Sequence, residues 1–131
     1  MIYRGYAIFR RMGGRILEVP DSNPHYHGSI ERIGERNFIS LALQDHIDNQ
    51  IETLVHELLH LGYEYRTPQY KIIPGLPIPK ELGITIEEAK KYIGDMEKLI
   101  EAETEKVSQT QPLLVSHLRE LIINSNKHTK L

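Results

Sequence analysis

Residues 56–60 read His-Glu-Leu-Leu-His, inside a stretch whose apolar residues recur at helical spacing. Two histidines four positions apart project from the same face of a helix, about one turn from each other. Their ring nitrogens can therefore reach one metal ion, and Glu57 between them is close enough to accept a proton from a water. This pentad constrains the chain more than any other feature, because it needs a helix with one packed side and one accessible side.

The segment around the pentad has an apolar side that should pack on a core. Seven residues form this stripe at helical spacing: Ile51, Leu54, Val55, Leu58, Leu61, Gly62 and Tyr65. On a helical wheel, His56 and His60 lie opposite the stripe, with Glu57 near them. An ordinary solvent-facing side would carry Lys, Glu and Gln, whereas this one carries two metal-ligand side chains and a base. We therefore expect a helix that ends near Tyr65, because Pro68 disfavours helix in the residue before it.

The rest of the pattern predicts an α+β fold in which strands precede helices. Alternating and β-branched residues favour four strands, at Tyr3–Arg10, Arg15–Val19, His27–Ile33 and Asn37–Leu43. The first two strands should form a hairpin over residues 2–19, with the turn at Gly13-Gly14. Together the strands predict a small antiparallel sheet. Its last strand, over residues 38–43, is expected to offer an edge to an extended peptide.

Two more helices should follow the pentad helix. Thr85, with Glu88 three residues later, forms a capping box that predicts a second long helix running to about Val107. Pro112 predicts the start of a C-terminal helix. A polar C-terminal tail is expected over residues 124–131.

Composition and charge limit the class of protein. With 131 residues and 40% hydrophobic content, the chain should form a single domain over residues 1–131. The net charge of −2, without a basic block, argues against a nucleic-acid partner, and no apolar run is long enough for a membrane span. Because the chain has no cysteine, a metal must be held by histidine and carboxylate. A cytoplasmic location is expected for the same reason.

The pentad and the order of elements resemble the gluzincins, zinc metallopeptidases in which a glutamate from a following helix completes the site. Among them the layout resembles the archaeal minigluzincins: a small sheet, an HExxH helix and a glutamate helix in a soluble protein of comparable size. The resemblance implies a Zn²⁺ cofactor held by His56 and His60, with Glu57 as the catalytic base and a peptide or protein as substrate. It also implies that a chain segment in the cleft can hold such an enzyme latent. The sequence is also compatible with a homo-oligomer.

A catalytic zinc site generally takes three protein ligands, so the pentad leaves one ligand to be found. Glu88 is our prediction, because it lies one turn before Tyr92 on the flank of the apolar stripe of its helix. Glu64 is the second candidate, but it would have to reach back about 5 Å along the helix to meet a metal shared with His60. His117, on the apolar face of the last helix, is the third.

Two further histidines, His25 and His27, stand at the start of the third predicted strand. Because they alternate by two, their side chains should share one side of that strand. They are candidates for a metal ligand or a transition-state donor. The ordinary alternative is that they are histidines of a surface loop without a role in the site.

The residues therefore predict a zinc-dependent metallopeptidase with His56, His60 and Glu88 as metal ligands and Glu57 as general base. Two other classes stay open. A metal-dependent hydrolase of a non-peptide substrate, such as RNA, would keep both histidines but should carry a basic groove. A non-catalytic regulatory or binding protein on the same frame would bind zinc or nothing, and would cleave no peptide.

Overall fold

The structure is a computed structural model, and it describes residues 1–20, 23, 25–33, 36–64, 80 and 83–129. Within these residues the chain forms helices and a small three-stranded sheet, which confirms the α+β class. In chain order the elements are α1 (Ile2–Arg11), β1 (Arg15–Val19), β2 (Gly28–Ile33), β3 (Arg36–Ala42), α2 (Ile47–Glu64), α3 (Ile86–Thr110) and α4 (Pro112–Thr129). Of the helices described, none has the length and apolar character that a membrane crossing requires.

The first element is a helix, so the predicted strand at Tyr3–Arg10 is wrong. Ile2, Gly5 and Phe9 are buried on one side of α1, and this spacing of three and four residues is helical. The aromatic and branched residues of the segment favour strands only in a suitable packing context. Because this side is buried against α2, the segment forms a helix instead.

The predicted hairpin over residues 2–19 is wrong for the same reason. Gly13, with a φ of 63°, ends α1, so the glycine pair marks a helix terminus rather than a strand turn. With no strand before it, β1 pairs with β3 in parallel, and Ile16 stands opposite Ile39. β2 pairs with β3 in the predicted antiparallel sense. The sheet is therefore mixed, and the prediction of an antiparallel sheet is confirmed only for the pair β2 and β3.

The strand order is β1-β3-β2, which makes β3 the central strand. Both of its edges are paired, so the expectation that the strand at 38–43 offers a free edge to a peptide is wrong. Within the described sheet, the outer edges belong to β1 and β2.

The pentad helix α2 lies at the centre of the fold. It contacts the other three helices as well as β2 and β3. Its predicted apolar stripe is confirmed where the structure describes it, since Leu54, Val55 and Leu58 are essentially fully buried. Tyr65, the last residue of that stripe, lies outside the described residues. The surrounding core comes from all four helices, β1 and β3: Ile2, Phe9, Ile16, Ile39, Leu41, Ile51, Leu54, Val55, Leu58, Leu59, Ile100, Val107, Leu114, Leu118 and Ile122.

The second half follows the sequence signals closely. The backbone N of Glu88 donates to the Thr85 hydroxyl oxygen at 3.1 Å, and the backbone N of Thr85 donates to the Glu88 carboxylate at 3.3 Å. This complete capping box starts α3, as predicted. The next helix begins at Pro112, also as predicted, and it continues through residues 124–129, the first part of the expected polar tail.

Two glycines allow α1 and α2 to approach closely. A Cβ atom added to Gly5 would overlap the carbonyl oxygen of Leu58, and one added to Gly62 would lie 2.5 Å from the carbonyl oxygen of Met1. Both obstacles are backbone atoms, which cannot rotate away as a side chain can. The contact between these helices therefore requires glycine at both positions.

Gly5→Ala should lower the free energy of unfolding by about 3 kcal/mol, because the added methyl group forces α1 away from α2. The matched control is Gly94→Ala in α3, where an added Cβ meets nothing within 4 Å. That change should be neutral or stabilise the protein by up to about 1 kcal/mol, through helix propensity. Urea unfolding followed by circular dichroism measures both variants, and equal stabilities would contradict the close helix contact.

Candidate metal centre

α2 presents the two histidines of the pentad on one side, as their spacing predicts. Their Nε2 atoms lie 3.1 Å apart, and the side chains of His56 and His60 are 26% and 16% exposed. The opposite side of α2 is packed in the core. Packing therefore fixes the rotation of this helix about its axis, and with it the direction in which both rings project.

A carboxylate from α3 completes the group. The two carboxylate oxygens of Glu97 lie 2.8 Å from Nε2 of His60 and 3.4 Å from Nε2 of His56. The three ligand atoms all lie within 4.8 Å of one another. Two imidazole nitrogens and a carboxylate oxygen at this separation can hold a metal ion.

The structure does not bring Glu88, the predicted third ligand, to the histidines. Glu88 is exposed in the first turn of α3, where its carboxylate accepts from Thr85. Glu97 stands on the same helix about 13 Å further along its axis, at 1.5 Å per residue. The capping role alone accounts for the position of Glu88.

Of the two alternative ligands, the structure describes the side chain of His117, which lies outside the group. The ring of His117 contacts α1, because its Nε2 lies 2.9 Å from the hydroxyl of Tyr6. Glu64 is the last residue of α2, and its side chain lies outside the described residues.

Glu97 has a sequence signal of its own, which the prediction of Glu88 overlooked. It precedes the buried residues Ile100 and Thr104 by three and seven positions, so it shares their side of α3. This helical spacing points to Glu97 as an inward-facing glutamate, whereas the capping box favoured the glutamates at the start of the helix. The spacing does not say which turn of α3 crosses the histidines, because tertiary packing decides that.

The surroundings of His56 lower its pKa and so disfavour its protonation. Burial lowers the pKa of His56 below its ordinary value of 6.5, and the neighbouring His60 lowers it further. Glu97, Glu101 and Glu52 act in the opposite direction and do not overcome these effects. Neutral imidazole is the form that binds a metal. The fold therefore favours the neutral form of this ring.

A cavity of about 530 Å³ opens beside His56, a volume in the range of small-molecule sites. Glu57 lines it together with His56, so the predicted base faces the same space as a predicted ligand. The other walls come from segment 25–28, which leads into β2, and from α3 at Glu101 and Thr104. The cavity therefore reaches the histidine–glutamate group at His56.

No family model, no curated protein and no solved structure matches the chain. The resemblance to the gluzincins stays a prediction, since it depends on the pentad and on the order of elements. A functional conclusion must therefore come from the geometry of the site.

Glu97→Gln should weaken binding of Zn²⁺ by more than about 100-fold, because even changes outside the ligand set cost about 10- to 100-fold. Glu88→Gln, the same substitution on the same helix, should leave the affinity unchanged, and glutamine can still serve the capping box. Competition with a chromophoric zinc chelator measures both affinities. A loss of zinc affinity in Glu88→Gln but not in Glu97→Gln would identify Glu88 as the ligand and exclude Glu97.

The metal-free protein should lose stability as the pH falls below about 6.5, the ordinary pKa of histidine. In that range the unfolded chain protonates His56, whereas the folded chain resists because its pKa is lowered. The loss should stop once the pH falls below the folded pKa. His56→Gln should flatten this part of the dependence in urea unfolding with a chelator present. Equal pH slopes for the two proteins would show that folding does not lower this pKa.

Proposed function

We propose that this chain is a zinc-dependent metallopeptidase, with His56, His60 and Glu97 as metal ligands and Glu57 as general base. The observation that carries the proposal is the convergence of a carboxylate from α3 on the two histidines of an HExxH helix. This arrangement is similar to the gluzincin site, in which a glutamate of a following helix is the third ligand. Glu97, rather than Glu88, takes that place here.

The donor set suits zinc among the divalent ions. Zn²⁺ binds imidazole nitrogen and carboxylate oxygen at about 2.0–2.2 Å in a tetrahedral arrangement, so neighbouring ligand atoms stand about 3.3 Å apart. In the structure the two Nε2 atoms lie 3.1 Å apart, and Glu97 meets His60 at 2.8 Å with one oxygen and His56 at 3.4 Å with the other. With a single Glu97 oxygen as ligand, the three atoms lie within 4.8 Å of one another, so side-chain movement must bring them to the zinc spacing. Three protein ligands also leave a fourth position, as in catalytic sites. When bound, zinc would polarise a substrate carbonyl and lower the pKa of a water towards about 7.

Glu57 performs the proton transfers in this proposal. It is half-buried and lines the cavity next to His56. Its carboxylate accepts a proton from the attacking water as the water oxygen bonds to the carbonyl carbon. The same group then donates this proton to the leaving nitrogen as the C–N bond breaks. Glu57 is thereby returned to its starting form.

The surroundings favour a peptide over a nucleic acid as substrate. Glu52 and Glu101 line the cavity with Glu57, and its described lining contains no Lys or Arg, so a phosphodiester would be repelled. β2 is an edge strand of the described sheet, and its first residue, Gly28, lines the cavity. An extended peptide could pair with this edge through backbone hydrogen bonds.

Glu57→Gln should keep zinc at one ion per chain and lower kcat for peptide hydrolysis by at least about 100-fold, the usual effect of removing a general base. Glu87→Gln, at an exposed position of α3, is the control and should change neither quantity. A mixture of quenched fluorescent peptides reports hydrolysis, and elemental analysis reports zinc. Full activity in Glu57→Gln would remove the mechanism. Zinc binding by the unmodified chain without any hydrolysis would favour the non-catalytic class.

A further inference from the structure

The cavity beside His56 extends along α2 away from the metal group. Its lining residues on this helix share one side: Asn49, Glu52, Thr53, His56 and Glu57. Asn49 precedes His56 by seven positions, so the cavity follows the helix for about 10 Å from that histidine. His56 stands at one end of this space. The remaining length is available to parts of a substrate that do not react.

The segment that leads into β2 forms a second wall of the cavity, over residues 25–28. In this wall, Nδ1 of His27 lies 2.9 Å from Oδ2 of Asp45, and the hydroxyl of Tyr26 lies 3.3 Å from Oγ of Ser29. These polar atoms are therefore engaged with protein neighbours. The wall offers ring surface to a substrate, against which an apolar stem can pack.

Carboxylates border the cavity from two helices. Glu52 belongs to α2, one turn before His56, and Glu101 belongs to α3, one turn after Glu97. Both are exposed, and among the residues that the structure describes neither side chain has an ion-pair or hydrogen-bond partner. Lys and Arg are absent from the described lining. Two carboxylates from different helices are thus available to a cation of the substrate.

We infer that this site selects peptides with a lysine or arginine side chain beside the cleaved bond, and that Glu52 and Glu101 bind the cationic group. The inference rests on the proposed peptidase function. A substrate is expected in the cavity for a reason that is independent of charge, because Glu57 and His56 line the same space. The two carboxylates then decide which side chain is bound there.

The length of a basic side chain suits this arrangement. Glu52 stands about 6 Å from His56 along the helix axis, and the four-carbon stem of lysine bridges a gap of this order. A residue whose carbonyl lies at the metal group can therefore place its cationic group at Glu52. Its stem would lie along Thr53 and Tyr26, which also line the cavity. An acidic side chain would be repelled by both carboxylates.

Two libraries of quenched fluorescent peptides test the inference with the full chain loaded with Zn²⁺. The libraries have the same sequences, contain no arginine and are blocked at both ends, but every lysine of the second library is acetylated. Acetylation removes the charge and keeps the stem. The first library should be cleaved at least about tenfold faster at equal low concentration. Mass spectrometry should place its cleavage sites next to lysine.

The ionic strength gives a second readout of the same preference. Because salt screens the interaction of exposed charges, an increase from about 0.05 M to about 0.5 M should lower the ratio of the two rates. A preference that depends on the shape of the stem would not respond in this way.

Glu52→Gln and Glu101→Gln should each lower the preference for unmodified lysine about threefold, the size of an exposed ion pair, and the double variant should bring the ratio of rates close to one. Glu87→Gln is the matched control. Glu87 is an exposed glutamate of α3 outside the described lining of the cavity, so its replacement should leave the ratio unchanged. Zinc content and Tm show that metal and fold are retained in each variant.

Equal cleavage of the two libraries, or a lysine preference that persists in the double variant, would overturn the inference and leave the proposed peptidase intact. Absence of hydrolysis of both libraries by the unmodified zinc-loaded chain would instead contradict the proposed function. In that case calorimetry with one lysine peptide and its acetylated form still decides about the carboxylates. Tighter binding of the lysine form that is lost in the double variant would support them as the cation site, and equal affinities would overturn it.

Discussion

Burial of the apolar side of α2 is the constraint on which the candidate site depends. This helix is packed against three other helices and two strands, so it cannot rotate without exposing Leu54, Val55 and Leu58. Burying a side chain of this size is worth about 1.5–3 kcal/mol. The core therefore fixes the direction of the polar side, and His56 and His60 project towards Glu97 because their neighbours are held in the core.

The parts of the fold that the sequence predicted are those with local causes. The stripe of α2, the capping box at Thr85 and the start of α4 at Pro112 each depend on residues within one or two helical turns, and all three are confirmed. The paired strands β2 and β3 also lie close together in the sequence. Local rules predict such elements without knowledge of their tertiary contacts.

The parts that failed depend on partners distant in sequence. Tyr3–Arg10 has a composition typical of a strand, but Gly5 and the residues around it pack on α2 as a helix. Without a strand there, β1 pairs in parallel with β3. The carboxylate that stands beside the histidines could not be chosen from the sequence for a related reason. Glu88 and Glu97 lie on the same helix, and only the packing of α3 on α2 decides which turn meets the histidines.

A crystal structure of the zinc-loaded protein, with anomalous diffraction at the zinc edge, tests the proposed metal centre most directly. We predict one ion bound by Nε2 of His56, Nε2 of His60 and a carboxylate oxygen of Glu97, each at about 2.0–2.2 Å, with a fourth position open towards the cavity and Glu57. An ion bound elsewhere, a site closed by a fourth protein ligand, or no ion between the two imidazoles would contradict it.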